Sequence, residues 1–233
     1  MATSETAKGG CRRPPENAKP WTMSHPSAPI EVERKFVPGP EVEDHLLTLG
    51  AVLQDEMKFQ DSYYDSPDLR LTLADVWLRK RADSWELKHP LVRGARGLNG
   101  TSTQYQELNN EAEIICRVSE ELGVPCPHNL ESLQLEEFAR FVTTRRKFLL
   151  PLDDNSNHKV VVDLDMTDFG FAVGEVEVLV QTKEEVQSAL VKVDDICKKL
   201  GVFSISPVPG KMSTFLKRNR EEHYRKLLEA HVL

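Results

Sequence analysis

The chain has 233 residues, 39% of them hydrophobic and 29% charged, with a net charge of −7. That suits one globular domain or two small ones, and it argues against a general nucleic-acid binder, which needs a basic surface. No run approaches the ~18 apolar residues of a membrane span, so neither a membrane nor a nucleic acid is an expected partner. The cysteines Cys11, Cys116, Cys126 and Cys197 form no CxxC pair and have no zinc spacing, so reduced thiols are expected.

Residues 1–29 contain Pro14, Pro15, Pro20, Pro26 and Pro29, the pair Gly9-Gly10 and little apolar periodicity. Such a stretch buries too little surface to offset its ordering entropy. A disordered leader over 1–29 is expected, ahead of one domain over 30–233. It lacks the apolar centre of a secretory signal. Arg12, Arg13 and several Ser and Thr residues suit a mitochondrial leader; Glu5, Glu16 and the want of an amphipathic helix weigh against one, leaving the cytoplasm as the expected compartment. Met23 is a second candidate start.

Ile30 to Phe36 reads as the first strand. Strand side chains alternate, so Glu31, Glu33 and Lys35 share one face and Val32, Arg34 and Phe36 the other. Pro38-Gly39-Pro40 ends it. Glu41 to Leu49 reads as a short helix burying Val42, Leu46 and Leu49, with Gly50 at its end. Met57 to Asp65 is a second strand, and the short apolar segment Leu69 to Leu73 follows Pro67. Val76 to Ala82 is a strand with Trp77, Arg79 and Arg81 on one face and Val76, Leu78 and Lys80 on the other. A turn at Asp83-Ser84 returns the chain as Trp85 to His89, with Glu86 and Lys88 on one face. Gly94, Gly97 and Asn99-Gly100 mark a mobile surface loop over 91–102, without the GKS or GKT of a P-loop. Gln104 to Leu108 is a short strand presenting Tyr105 and Glu107.

Asn110 to Leu122 reads as a helix with the stripe Ile114, Ile115, Val118 and Leu122, ended by Gly123 and Pro125. A helical patch near Glu131 to Leu135 follows. Phe138 to Leu152 is a long strand on which Arg145 and Arg146 face opposite ways, and Asp153 to Asn157 is a hairpin turn. Lys159 to Asp165 puts Asp163 and Asp165 on one face; Phe171 to Gln181 does the same with Glu175 and Glu177. Glu184 to Leu200 is an amphipathic helix, and Lys211 opens a last helical region whose run Lys217-Arg218-Asn219-Arg220 reads as a solvated face.

In the charged strands the face opposite the charges is largely aliphatic, and the helices supply apolar stripes to cover it. The charged faces are then left to meet one another inside a closed barrel. Buried without partners, such charges would cost several kcal/mol each against a stability margin of ~5–15 kcal/mol. They must therefore pair across the interior or share a ligand and a metal. Polyphosphate chemistry asks for both signs. Arg and Lys clamp the oxygens, and paired carboxylates hold a hard divalent ion that bridges to them. A glycosidase pair would leave the cations unexplained, and a nucleic-acid groove would leave the carboxylates unexplained. No Ser/His/Asp arrangement stands out.

Glu31-Val32-Glu33-Arg34-Lys35 resembles the ExExK signature of the CYTH superfamily, the triphosphate tunnel metalloenzymes. Arg79 and Arg81, Lys88, Arg145, Asp163, Glu175 with Glu177, and Lys211 match that family's pattern in order over about residues 30–230. Tyr63-Tyr64-Asp65, Trp77-Leu78-Arg79, Trp85-Glu86-Leu87-Lys88 and the run Asp168 to Glu177 resemble its animal thiamine-triphosphatase branch. The resemblance implies an eight-stranded antiparallel tunnel with helices packed outside, and hydrolysis of the terminal phosphoanhydride of a triphosphate with Mg²⁺ or Mn²⁺. It places Glu31, Glu33, Asp163 and Glu177 on the metal. It places Lys35, Arg79, Arg81, Lys88, Arg145 and Lys211 on the triphosphate, with Glu175 on the same face and open to either role, and with Trp77 free to stack on thiamine or to serve as core. A depressed-pKa Lys35 or Lys88, or a metal-bound water, are the candidates for activating water. Inorganic tripolyphosphate, nucleoside triphosphates and a non-catalytic polyphosphate-binding module are the alternatives. Nothing resembles a coiled-coil seam, the sequence carries no signal of oligomeric state, and a monomer is the default expectation.

Overall fold

The computed structural model describes residues 29–90, 102–151 and 159–233. The expected leader up to residue 28, the glycine-marked loop over 91–101 and the Asp153 to Asn157 turn lie outside the described residues. Eight strands are formed: β1 (Ile30–Phe36), β2 (Val52–Asp65), β3 (Trp77–Arg81), β4 (Ser84–Pro90), β5 (Ser102–Leu108), β6 (Glu136–Leu150), β7 (Val160–Thr167) and β8 (Ala172–Val180). They close into one barrel in the order β1-β5-β4-β3-β2-β6-β7-β8, with every neighbouring pair antiparallel. Closure leaves no free sheet edge. The first strand performs it, lying between β5 and β8.

The outer face is covered in patches. Helices α1 (Val42–Thr48) and α4 (Val186–Lys199) bury Val32, Phe36, Val176, Val178 and Val180. Helices α2 (Arg70–Leu73) and α3 (Glu111–Leu122) bury Leu78 and Leu87. Gly174 lies opposite Phe36 in the β1–β8 register, and a Cβ there would meet the ring at 2.1 Å. Arg34 is a buried polar residue on this face. Its buried guanidinium bonds to Asp194 at 2.6 Å and to the Ser204 carbonyl at 2.9 Å.

The C-terminal segment is two helices, α5 (Lys211–Asn219) and α6 (Glu221–Glu229), because the backbone leaves the helical region at Arg220 (φ −142). Met212 and Phe215 of α5 pack with Tyr63, Phe141 and Phe169, which points Lys211 into the barrel. His223 of α6 lies 2.8 Å from Thr72 Oγ1, which donates to the buried Asp65 carboxylate at 2.6 Å. Asp65 also accepts the N–H groups of Ser66, Leu71 and Thr72.

Several boundaries differ from the sequence pattern by a few residues, and two of them have a plain cause. β2 begins at Val52, not Met57, because its first residues pair with Lys147 to Leu149 of β6 while standing exposed, so they carry no apolar alternation to read. The hairpin turn falls on Ala82-Asp83, with Ala82 at φ +51, and Ser84 already pairs with Arg81.

Candidate active site

The barrel encloses a cavity of about 750 Å³. Strand parity directs its lining. Glu31, Glu33 and Lys35 of β1, Trp77, Arg79 and Arg81 of β3, Lys88 of β4, Arg145 of β6, Glu175 and Glu177 of β8, and Lys211 of α5 all face it. Asp163 of β7 is buried and reaches the cavity through its ion pair with Arg145. Arg146 points outward to Glu43 and Glu56, as alternation on β6 requires.

The interior cations are each held by carboxylates. Lys88 bonds to Glu31 at 2.5 Å and approaches Glu33 at 3.5 Å. Lys35 bonds to Glu33 and approaches Glu175 at 3.7 Å. Arg79 bridges Glu86 at 2.5 Å and Glu107 at 2.7 Å. Arg81 makes a two-pronged pair with the fully buried Asp61 at 2.7 and 2.8 Å. Arg145 does the same with Asp165 at 2.7 and 2.7 Å, and also bonds to Asp163. Lys211 joins Asp165 from outside the sheet. Phe59 lies between two of these groups, its ring centroid 4.0 Å from the Arg81 guanidinium and 5.6 Å from that of Arg145.

Proton affinities follow from burial set against pairing. Burial lowers the affinity of Lys88 for its proton, but Glu33 and Glu31 outweigh it and hold the ammonium well above its ordinary value. Lys35 behaves likewise through Glu33 and Glu175. With the carboxylates paired in this way, both lysines are shifted in the direction opposite to the expected depressed pKa. Glu175 is held below its usual range because Lys211 and Lys35 outweigh its burial. Glu177 is different. Burial, then Glu31 and Glu33, push it up to about 8, and among the described residues it makes no ion pair. Glu31 is pushed up to about 7, chiefly by burial, against the pull of Lys88.

Glu33 and Glu177 are direct cross-strand partners, and Glu31 shares their face. Among the described residues no three His, Cys, Asp or Glu side chains converge as a ready-made ion site. The carboxylates are instead bent toward lysines and arginines. The donor chemistry nevertheless fits a hard divalent cation. These are oxygen ligands; burial first, and then repulsion from Glu31 and Glu33, raise the proton affinity of Glu177, and a cation would offset both.

One end of the cavity is aromatic. Trp77 Nε1 donates to Asp75 Oδ1 at 2.8 Å, and the Tyr105 hydroxyl donates to the same carboxylate at 3.1 Å. Asp75 itself adopts φ +60, a left-handed conformation that Asp tolerates better than most residues. Trp77 thus stands as a fixed plate on the cavity wall rather than in the core. Asp75 was invisible to strand parity because it precedes β3. Asp61 and Lys147 lay within its reach, two residues from Tyr63 and Arg145 on the same faces, as did Phe59.

The CYTH domain family matches residues 29–210. This chain belongs to the CYTH domain family. The match stops one residue short of Lys211, so the α5 lysine that completes this CYTH domain's cation set lies just beyond it. The chain is 44% identical over 209 residues to the thiamine-triphosphatases of Macaca fascicularis and Homo sapiens, covering 86% of this chain and 90% of each relative. Solved structures share the fold at lower identity. The Hippeastrum protein HpAC1, described as having a dominant triphosphatase activity, aligns with TM-score 0.56 at 17% identity, covering 82% of this chain and 96% of its own. The PH1819 protein of Pyrococcus horikoshii aligns with TM-score 0.50 at 18% identity, covering 81% and 99%. Among the described residues no helix is long and apolar enough to cross a membrane.

Proposed function

We propose that this CYTH domain hydrolyses the terminal phosphoanhydride of thiamine triphosphate, releasing thiamine diphosphate and phosphate. The observation that carries the reading is the ring of cations Lys35, Arg79, Arg81, Lys88, Arg145 and Lys211 facing one cavity that has a fixed aromatic plate at its wall. The 44% identity to the macaque and human thiamine-triphosphatases supports the choice of organic end.

Each cation is paired with a carboxylate in a geometry that phosphate oxygens can take over. Arg79, Arg81 and Arg145 present forks suited to two oxygens each, and Lys35, Lys88 and Lys211 act as point charges. Glu31, Glu33 and Asp163, freed of their lysine and arginine partners, together with Glu177 are the residues that would hold Mg²⁺ or Mn²⁺. When bound, the ion supplies charge neutralisation at the phosphate oxygens. Glu175 stays ionised between Lys211 and Lys35 and orients both ammonium groups. Lys35 and Lys88 remain cationic and stabilise the charge that builds on the transferred group. A loose phosphoryl-transfer transition state makes little demand on a strong base. Trp77, steadied by Asp75, offers its face to the cationic thiazolium ring.

Phosphate release from thiamine triphosphate, tripolyphosphate and ATP, each with Mg²⁺ and with EDTA, tests the proposal. Metal-dependent preference for thiamine triphosphate is the expected result. Preference for tripolyphosphate or ATP would keep the cation ring and reject the aromatic subsite. Binding without turnover of any of the three would reject hydrolysis.

A further inference from the structure

Outside the tunnel, one pair of nucleophilic side chains takes no part in the chemistry above. Cys116 lies on the exposed face of α3 and Cys126 in the segment after it, with their Sγ atoms 3.3 Å apart. The backbone builds this approach. Gly123, at φ +63, ends α3; its N–H bonds to the Glu120 carbonyl at 3.2 Å, and the Val124 N–H bonds to the Ser119 carbonyl at 3.0 Å. That double closure reverses the chain against the last helical turn. Pro125 and Pro127 bracket Cys126. The first has its own φ fixed, and the second confines Cys126 to extended backbone. The return is therefore stiff, and it holds two exposed thiols in contact. Cys197, by contrast, is on the buried face of α4, within the core.

We propose that Cys116 and Cys126 form a dithiol site for reversible oxidation to an intramolecular disulfide by a small disulfide such as oxidised glutathione. One protein thiolate attacks a glutathione sulfur, forming a mixed disulfide and expelling the first glutathione thiolate. The second protein thiolate attacks the protein sulfur of that mixed disulfide and expels the second. The protein loses two electrons and two protons, and one glutathione disulfide becomes two glutathione thiols. The sulfurs must close from 3.3 Å to ~2.05 Å, a change that small χ1 rotations of two exposed side chains can supply. The Cys116 thiol is held above its ordinary pKa by its hydrogen bond with Cys126. Proximity, not an acidic thiol, is what makes the site responsive. Neither thiol lines the cavity.

The test uses the full chain carrying C11S, so that Cys11 cannot compete. It is equilibrated in glutathione buffers of graded ratio, trapped with N-ethylmaleimide, digested and weighed. The expected product has lost two hydrogens across Cys116 and Cys126 and carries neither maleimide nor glutathione. Adding C116S should leave glutathione retained on Cys126, because no second thiol resolves it. The folded chain should be oxidised with a constant on the order of tenfold above that of the denatured chain, since folding has already closed the loop between the two residues. Retained glutathione on Cys126 when both thiols are present would overturn the proposal. So would a disulfide between two chains, or equal constants in the folded and denatured states.

Discussion

The two faces of the same barrel wall obey opposite rules. On its outer face β8 places Val176, Val178 and Val180 against α4, fully buried and without polar demands. On its inner face, one residue away each time, it places Glu175 and Glu177 in the cavity. The outer face stabilises the fold by removing apolar area from water, at about 25 cal/mol per Å². The inner face contributes little of that kind. Its charges are desolvated, and pairing returns only part of the cost. Glu177, without an ion pair among the described residues and pushed up to about 8, marks where it does not. A wall kept for stability alone has no use for such a face, whereas a wall that must exchange carboxylates for phosphate oxygens does.

The comparison breaks most sharply at Arg81. R81A should lower kcat/KM by on the order of 1,000-fold. It also strands the buried Asp61 carboxylate, at a cost of about 3 kcal/mol in stability. Adding D61N should return most of the stability and none of the activity, as read by urea unfolding beside phosphate release. E33Q should lose activity by about 100-fold with little change in unfolding. Turnover unchanged in R81A or E33Q would remove the tunnel as the active site.

On the outer face the pattern should invert. G174A drives a Cβ into the buried Phe36 ring and should cost about 1–3 kcal/mol while leaving kcat near normal in the folded fraction. An intact melting temperature would mean that the β1–β8 contact is looser than described.

D75A frees the Trp77 indole and the Tyr105 hydroxyl from their shared acceptor. KM for thiamine triphosphate should rise by about tenfold while tripolyphosphate hydrolysis stays within about twofold. Equal losses on both substrates would assign Asp75 to the phosphate end or to folding instead.

The smallest expected effect concerns Glu177. Its folded pKa of about 8 exceeds the ordinary glutamate value of 4.5. Between those values the folded chain keeps a proton that the unfolded chain has released, so stability declines as pH rises through that window. E177Q should flatten the decline by on the order of 1–2 kcal/mol between pH 5 and about 8.5, once solvent screening is allowed for. Identical pH–stability curves for E177Q and the parent would show that Glu177 does not titrate there.

Much of this site was legible because strands alternate with a period of two. Once Glu31, Glu33 and Lys35 share one face, the same parity on β3, β4, β6, β7 and β8 brings Arg79, Arg81, Lys88, Arg145, Asp163, Glu175 and Glu177 to a common interior, whereas Lys211, on a helix, is signalled only by the family resemblance. The exposed start of β2 was not legible, because a strand wet on both sides carries no alternation. Nor was Asp75, whose side chain is aimed by a left-handed turn ahead of β3 rather than by the pleat.

The sequence by itself determined which residues share a face, where the helices lie and that the inward charges come in two signs. These are local consequences of backbone geometry and apolar spacing. Only the tertiary structure decided which carboxylate meets which cation, that Lys35 and Lys88 are held cationic, that Glu177 is left over, and that Cys116 and Cys126 touch. Those outcomes depend on cross-strand register, burial and chain reversal, which set distances of a few ångströms between residues far apart in the chain. Coulomb interactions and desolvation are sensitive to such distances.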